Sequence, residues 1–484
     1  MNSILWYDYE TFSADPASGR IAQFAAIRTD ERLDPVGEPI ELFCKPCHDC
    51  LPDPVACLIT GITPQQAEER GLPEPEFADR VRAAMGEPGT CIAGFNSIRF
   101  DDSYTRFLFY RNFIDPYAHE WQNGNSRWDL LDVARYTYAL RPDGIEWPRR
   151  EDGAPSFRLE HLTLANGLPH LDAHDALSDV RATIALARLI RARQPRLFDY
   201  AYALRGKNAV RDLLVKEQGK PLLHTSGMFP AIHGHTTAIA VLGAHPRIQN
   251  RLIVADLRQD PERLLETPPE QLLELLFARG EDLPEGVERP AIKELHLNRA
   301  PLLAPFRVLD EAGAQRLGLD LSACQRHFDF IHTHREAFEA LARGLYAAEP
   351  PARTVDAEAA LYQGFMPDGD RQRLAQVRTL APERLAELQQ ALQDARLREL
   401  MFRYRARHFP ATLGAEEREH WHDLLASRLL HEEGGAGMWA EKFFTSIEAL
   451  RADPSSTGRE WLILDQVEAW GRGLLNEAGL GYPA

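Results

Sequence analysis

The sequence predicts an α/β domain, then a small β-rich domain, then a helical C-terminal part. Three observations carry this. Strand and helix signals interleave over the first stretch, up to about residue 195. The texture then shifts to Gly, Pro, Thr and β-branched residues, with turn signals roughly every eight to ten positions. After the Pro-bearing stretch AAEPPARTVD the pattern is helical to the end. A chain of 484 residues calls for roughly two to four domains, and the boundaries predicted here are 1–194, 195–348 and 354–484.

The elements follow in order. Residues 4–12, ILWYDYETF, read as a strand, and AQFAAIRTD and EPIELFCKP supply two more. TPQQAEERG has Thr63 as a cap, Pro64 at the first helical position and Gly71 beyond the end, which together mark a short helix. GTCIAGFN is an apolar strand running into a loop. HDALSDVRATIALARLIRARQP is an amphipathic helix with Leu177, Val180, Ile184, Ala187 and Ile190 at helical spacing, closed by Pro195. The β-rich part contains some helix, such as PPEQLLELLFARG, and the C-terminal part is typified by PERLAELQQALQDARLRELMFRYRARHF. No internal repeat is evident.

Composition is that of a soluble globular protein, 44% hydrophobic and 26% charged. No apolar run reaches the ~20 residues that span a bilayer, and MNSILWYDYETF lacks the basic start and apolar stretch of a signal peptide. A cytoplasmic protein with no membrane partner is therefore expected. The net charge of −17 repels nucleic acid on average, so any such binding needs a local basic groove lined with aromatics. The six cysteines do not make a disulfide scaffold. CKPCHDC, with Cys44, Cys47, Cys50 and His48, has spacing that suggests metal ligation, yet only Cys57 follows nearby, and reduced loop or surface cysteines are the expected state. His233 and His235 in HGHTT are read as turn or surface histidines.

The chemistry sits in carboxylates. Asp8 and Glu10 alternate with Tyr9 on the first strand, so they share a face ~6.6 Å apart along the backbone. Trp6 and Ile4 continue that row inward. Two like charges so placed repel unless a cation lies between them, and a divalent ion suits carboxylate oxygens. Asp356 and Glu358 repeat the spacing in VDAEAAL, where a solvated helix start is expected. IRFDD brings Asp101 and Asp102 after a middle strand. DAHDALSDV brings His174 and, five residues on, Asp179. Five helical positions turn by ~140°, so His174 is placed in the loop or first turn, Asp179 on the helix, and Asp175 as a cap or a surface residue.

The ordered set Asp-x-Glu, Asp, His-x4-Asp resembles the DEDD exonucleases of the histidine subclass. Four carboxylates around two metals suit in-line phosphodiester hydrolysis, with the histidine taking a proton from water. DYETF, LITGITPQ, IRFDD, NSRWDLLDV, PSFRLEHLT, SGMF, LYQGF and YRARHFPATL extend the resemblance over essentially the whole chain to bacterial exonuclease I. That resemblance implies an RNase H-like exonuclease domain with a mixed sheet, an SH3-like domain and a helical C-terminal domain. It implies processive 3′→5′ degradation of single-stranded DNA to 5′-mononucleotides, serving DNA repair and recombination, with two Mg2+ per site and Mn2+ as a substitute. The catalytic set carries over to Asp8, Glu10, Asp101, His174 and Asp179, the four carboxylates being the metal ligands. Alignment, not composition, selects Asp101 over Asp102.

The substrate contacts implied are Glu10, Arg106, Tyr117, Trp121 and Arg158. Stacking aromatics and phosphate-binding cations are what a single strand needs, and with only six lysines the phosphates fall mostly to arginine. The implied partners are single-stranded DNA and the acidic tail of single-stranded DNA-binding protein, and the expected state is a monomer. Two rival readings are an exoribonuclease of the same subclass, since nothing in the motifs reads the 2′-OH, and a non-catalytic single-strand binding module.

Overall fold

A computed structural model describes residues 2–170, 175–279, 282–284, 286–349, 355–454 and 458–481. His174 and residues 350–354 of the expected linker lie outside the described residues.

The first strand, β1 (Ser3–Thr11), shows why its sequence alternates as it does. Ile4 and Trp6 are buried in one apolar cluster, and Leu5, Tyr7 and Tyr9 in another on the opposite face. β1 pairs antiparallel with β2 (Ile21–Thr29), which pairs antiparallel with β3 (Ile40–Phe43). On its other side β1 runs parallel to β4 (Thr90–Gly94), and β4 runs parallel to β5 (Ser126–Asp129). The order β3-β2-β1-β4-β5 makes a mixed sheet with β1 at its centre. The parallel register ends at Trp6 opposite Ala93, so Asp8 and Glu10 project beyond the end of β4. The chain leaves β4 at Gly94, where an added Cβ would stand 2.8 Å from the Tyr7 carbonyl oxygen. Only glycine lets β4 end this close to β1.

The helix Ala176–Arg193 packs across β1 and β2 with Val180, Ile184, Ala187 and Ile190 buried. Val180, Ile184 and Ile190 each contribute about 1.5–3 kcal/mol through burial. Asp175 caps it, its Oδ2 accepting from Ser178 N–H at 2.9 Å. Thr63 caps Pro64–Arg70 as expected, and Gln66 completes a capping box with it. Pro195 does more than close the long helix. It opens a further one, Pro195–Ala203, which packs back on the first domain.

The second sheet is antiparallel throughout, in the order β10-β6-β7-β8-β9, from β6 (Leu222–Thr225), β7 (Thr236–Ala244), β8 (Arg251–Asp256), β9 (Ile292–His296) and β10 (Leu302–Pro305). It is tied to the first domain by hydrogen bonds from the Tyr136 and Tyr200 hydroxyls to the Leu303 carbonyl. The remaining chain is helical, with Ala395–His408, Ala415–Leu430 and Gly458–Glu477 the longest pieces. Phe107, Tyr110 and Phe113 of the first domain are buried among Leu374, Leu388 and Met401 of the last.

Two expectations are corrected. Asp356 and Glu358 are not a solvated helix start. Glu358 is 1% exposed, in a turn, and Arg20 Nη2 donates to its Oε2 at 2.7 Å. Arg407 and Arg428 pair with it as well, and Arg403 Nη1 holds Asp356 at 2.8 Å. Carboxylates repeated at this spacing look solvated only while their distant arginine partners are out of view. Cys47 and Cys50 are joined in a disulfide, and the free Cys44, Cys57, Cys91 and Cys324 are buried rather than on the surface. His233 and His235 lie in and after a 3-10 turn, their Nδ1 atoms against the Leu317 and Phe229 carbonyls. No helix among the described residues is long and apolar enough to cross a membrane.

Candidate active site

Three carboxylates converge past the end of β4. Ligand oxygens of Asp8, Glu10 and Asp179 lie within 4.8 Å of one another. The first two come from alternate positions of β1, and the third from the first turn of Ala176–Arg193. Among the described residues they are the group of side chains that could hold a metal ion; the Cys44–Cys50 stretch forms no such group.

Asp101 stands beside this cluster. It begins the helix Asp101–Arg111, where the positive end of the helix dipole favours an acid. Its Oδ1 accepts from the Tyr9 N–H at 3.2 Å, on the backbone between Asp8 and Glu10. The loop that delivers it is pinned by Asp129 at the end of β5, whose carboxylate accepts from the Asn96 and Ile98 N–H groups. Asp102 turns the other way. It accepts from the Tyr7 hydroxyl at 2.7 Å and from Arg127. Burial resists its charge but Arg127 and Arg106 prevail, and its carboxyl is held below the ordinary range. Asp101, with burial and Asp102 against it, is pushed well above that range. Two adjacent carboxylates thus have opposite environments.

The electrostatics describe a cation site. Burial pushes the Glu10 carboxyl up to about 9, reinforced by Asp179 and Asp101. Burial also raises Asp8, with Asp101, Glu10 and Asp179 adding to it. The charges that act on both are acidic. Hard oxygen donors, half-buried and mutually repelling, fit a divalent ion. A prediction follows for the metal-free protein. The raised folded-state affinity of Glu10 for its proton contributes stability below the ordinary carboxylate range, and that contribution is lost as pH rises toward about 9. A divalent ion must displace this proton, so its affinity should climb with pH. Calorimetric Mn2+ titrations at about pH 6 and about pH 8.5 should show tighter binding at the higher pH, with proton release into the buffer at the lower. Equal affinity without proton release would contradict this picture of the site.

The expected substrate residues differ in exposure. Trp121 is 65% exposed, Tyr117 is half-buried and Arg158 is exposed. Arg106 is different. It is buried, with Nε donating to Glu120 Oε1 at 2.6 Å and its guanidinium 5.4 Å from the Tyr117 ring centroid. Tyr117 and Trp121 border a groove of about 660 Å³ shared with Tyr362, Phe365, Arg371 and Arg396 of the C-terminal part. Phe365 stands fully in solvent there. Flat rings beside guanidinium groups suit unpaired bases and phosphates.

Sequence reasoning missed Asp129, Arg127 and His170. Asp129 sits in NSRWDLLDV, a stretch singled out for its resemblance alone. His170 Nε2 lies 2.6 Å from Asp179 Oδ1, and no spacing rule marks it.

The chain is similar to known exonucleases over nearly its whole length. Family models described as Exonuclease, Exonuclease I SH3-like domain and Exonuclease I C-terminal domain match residues 5–187, 205–348 and 355–474. The exodeoxyribonuclease I of Escherichia coli K12 is 47% identical over 422 residues, 87% of this chain and 88% of that one. The structure of a moderately thermophilic exonuclease I from Methylocaldum szegediense superposes with a TM-score of 0.92 at 47% identity, covering 98% of this chain and all of that one. E. coli exonuclease I has been solved with a dA16 oligonucleotide (TM-score 0.91, 41% identity, 98% and 100% covered), and a further structure holds SSB/exonuclease I in complex with the inhibitor CFAM (TM-score 0.88, 40% identity, the same coverage).

Proposed function

The chain belongs to the exonuclease I family and is an exodeoxyribonuclease acting on single-stranded DNA, and we propose that it works from the 3′ end, releasing 5′-mononucleotides with magnesium. The observation that supports this best is the convergence of Asp8, Glu10 and Asp179 within 4.8 Å, with Asp101 alongside.

Asp8, Glu10, Asp101 and Asp179 would hold two divalent ions. When bound, such ions offset the charge that develops on the phosphodiester and make water acidic enough to attack near neutral pH. The remaining work belongs to side chains. His174, placed by sequence five residues before Asp179, accepts the proton of the attacking water. Trp121 and Tyr117 stack the terminal bases, and Arg158 offers a guanidinium to the backbone. Arg106, held by Glu120, stiffens the wall beneath Tyr117 and reaches phosphate through its remaining donors. If the β and helical domains close over the carboxylates, a threaded strand is retained between cuts. The single-stranded DNA-binding protein is the partner proposed by likeness to the exonuclease I solved with SSB, with its acidic tail as the docking segment.

The test is digestion of labelled single strands blocked at one end, with magnesium. Strands blocked at 5′ should be digested as unblocked ones are, and strands blocked at 3′ should persist. Matched RNA should be cut far more slowly than DNA. Rapid loss of 3′-blocked strands would refute the polarity, and equal rates on RNA would favour the exoribonuclease.

A further inference from the structure

The imidazole of His170 bridges two elements that the site depends on. His170 follows the helix Leu159–Ala165, where the chain doubles back through Gly167 at a φ of +63° and Leu168 N–H bonds the Thr163 carbonyl at 2.9 Å. The turn lays the ring against its own helix. His170 Nδ1 meets Thr163 Oγ1 at 3.1 Å, and Nε2 reaches Asp179 Oδ1 at 2.6 Å. Thr163 is 1% exposed, and its one hydroxyl hydrogen goes either to Nδ1 or to the Leu159 carbonyl at 2.9 Å, in which case Nδ1 carries a hydrogen of its own and donates it to Oγ1. The His170 side chain is 6% exposed.

Both ring nitrogens are thus committed. A general base needs a lone pair turned toward the attacking water. A carboxylate accepts only, so Nε2 carries a hydrogen and donates it to Asp179. His170 has no nitrogen left for a water and cannot act as the base. What it does bears on Asp179, the one carboxylate of the cluster that comes from a helix rather than from β1. Asp8 and Glu10 repel that carboxylate across less than 5 Å. A side chain on the first turn of a helix has a rotamer facing water, and repulsion favours it. The hydrogen bond from His170 opposes that swing.

We propose that His170 is a positioning residue, which through the relay Thr163–His170–Asp179 holds the Asp179 carboxylate against Asp8 and Glu10 in the geometry that binds a divalent cation. This rests on the reading of Asp179 as a metal ligand. Partners that orient metal ligands typically change metal affinity or activity by about 10–100-fold when removed.

The test is direct Mn2+ binding to the DNA-free full-length protein, by calorimetry or by electron paramagnetic resonance of free Mn2+. Asp179→Ala should abolish most of the affinity. His170→Ala should weaken it by about tenfold or more. His170→Gln, whose amide nitrogen can stand where Nε2 stood, should recover most of the loss. The Mn2+ concentration giving half-maximal hydrolysis should shift with the binding, while KM for DNA stays as in the wild type. If His170→Ala does not fold, Thr163→Val carries the test and should weaken Mn2+ binding in the same direction by a smaller factor. Wild-type Mn2+ affinity in a folded His170→Ala or Thr163→Val protein, beside a crippled Asp179→Ala, overturns the proposal and leaves the metal site standing. Wild-type affinity in Asp179→Ala as well overturns the site itself. Loss of hydrolysis in His170→Ala with unchanged Mn2+ binding would make His170 a base and also overturn the proposal.

Discussion

Replacing Asp8 with asparagine should lower hydrolysis of single-stranded DNA by about 10³-fold or more, because ion-held charge stabilisation is worth several kcal/mol and each 1.36 kcal/mol is tenfold. The same change should leave the protein folded and able to bind a strand. Asp8 is central on β1, flanked by Glu10 on its own strand and by Asp179 and Asp101 from two helices. Its carboxyl is raised above the ordinary range by burial and then by Asp101 and Glu10, so in the metal-free protein its charge is a cost. Asparagine keeps the size and removes that charge. The melting temperature without metal should therefore stay level or rise, even as activity disappears, as expected where a functional site is held at the expense of stability. The two readouts together separate loss of chemistry from loss of structure. An Asp8→Asn enzyme that digests at near the wild-type rate would show that the cluster is not the site of hydrolysis. One that loses DNA binding in metal-free buffer would show that Asp8 serves the strand and not the ion.

What could be read in the sequence, and what could not, follows from how far apart the interacting groups are along the chain. The period of two on β1 placed Asp8 and Glu10 on one face, because strand geometry alone decides that. Thr63 as a cap, and Asp175 as one of two readings, were legible because capping acts over three residues. The change from mixed to β-rich to helical texture was legible because it is a property of long segments. The separation of Asp101 from Asp102 was not. Neighbours on a helix differ by ~100°, and which one faces β1 from the metal side is settled by Tyr7 and Arg127, tens of residues away. His170 was invisible because its partners lie seven and nine residues off across a turn, a spacing without regular periodicity. The Cys47–Cys50 pair could be read from spacing as ligands, thiols or a disulfide, and only the third dimension chooses.

Glu358 carries the same lesson and the second large prediction. Replacing it with alanine should destabilise the protein by about 3–5 kcal/mol, the range for breaking a buried ion pair from one side. Its partner Arg20 is 338 residues away in the first domain, and Arg407 and Arg428 come from the C-terminal helices. The exchange is reciprocal, since the Asp49 carboxylate of the first domain accepts from Arg407 at 2.5 Å and is paired with Arg428 Nε at 3.0 Å. Each domain thus lends a carboxylate to the other's arginines. Burial disfavours the charge on Glu358, but Arg407, Arg20 and Arg428 outweigh it and hold the carboxyl well below the usual range. That stabilisation is present above the ordinary carboxylate pKa and is lost as pH falls below it, so Glu358→Ala should flatten the acid limb of the stability curve. Alanine leaves three guanidinium groups facing a void, and the C-terminal helices should loosen from the first domain before β1 or its neighbours unfold. Long runs of digestion should then shorten, while the rate of single cuts changes much less. A cycle with Arg20→Leu separates the terms: Glu358→Leu with Arg20→Leu should recover only part of the loss, because Arg407 and Arg428 still lack their counter-ion. Urea unfolding and product-length distributions measure both effects. Wild-type stability in Glu358→Ala, or shortened runs without any loss of stability, would show that this buried cluster does not dock the domains.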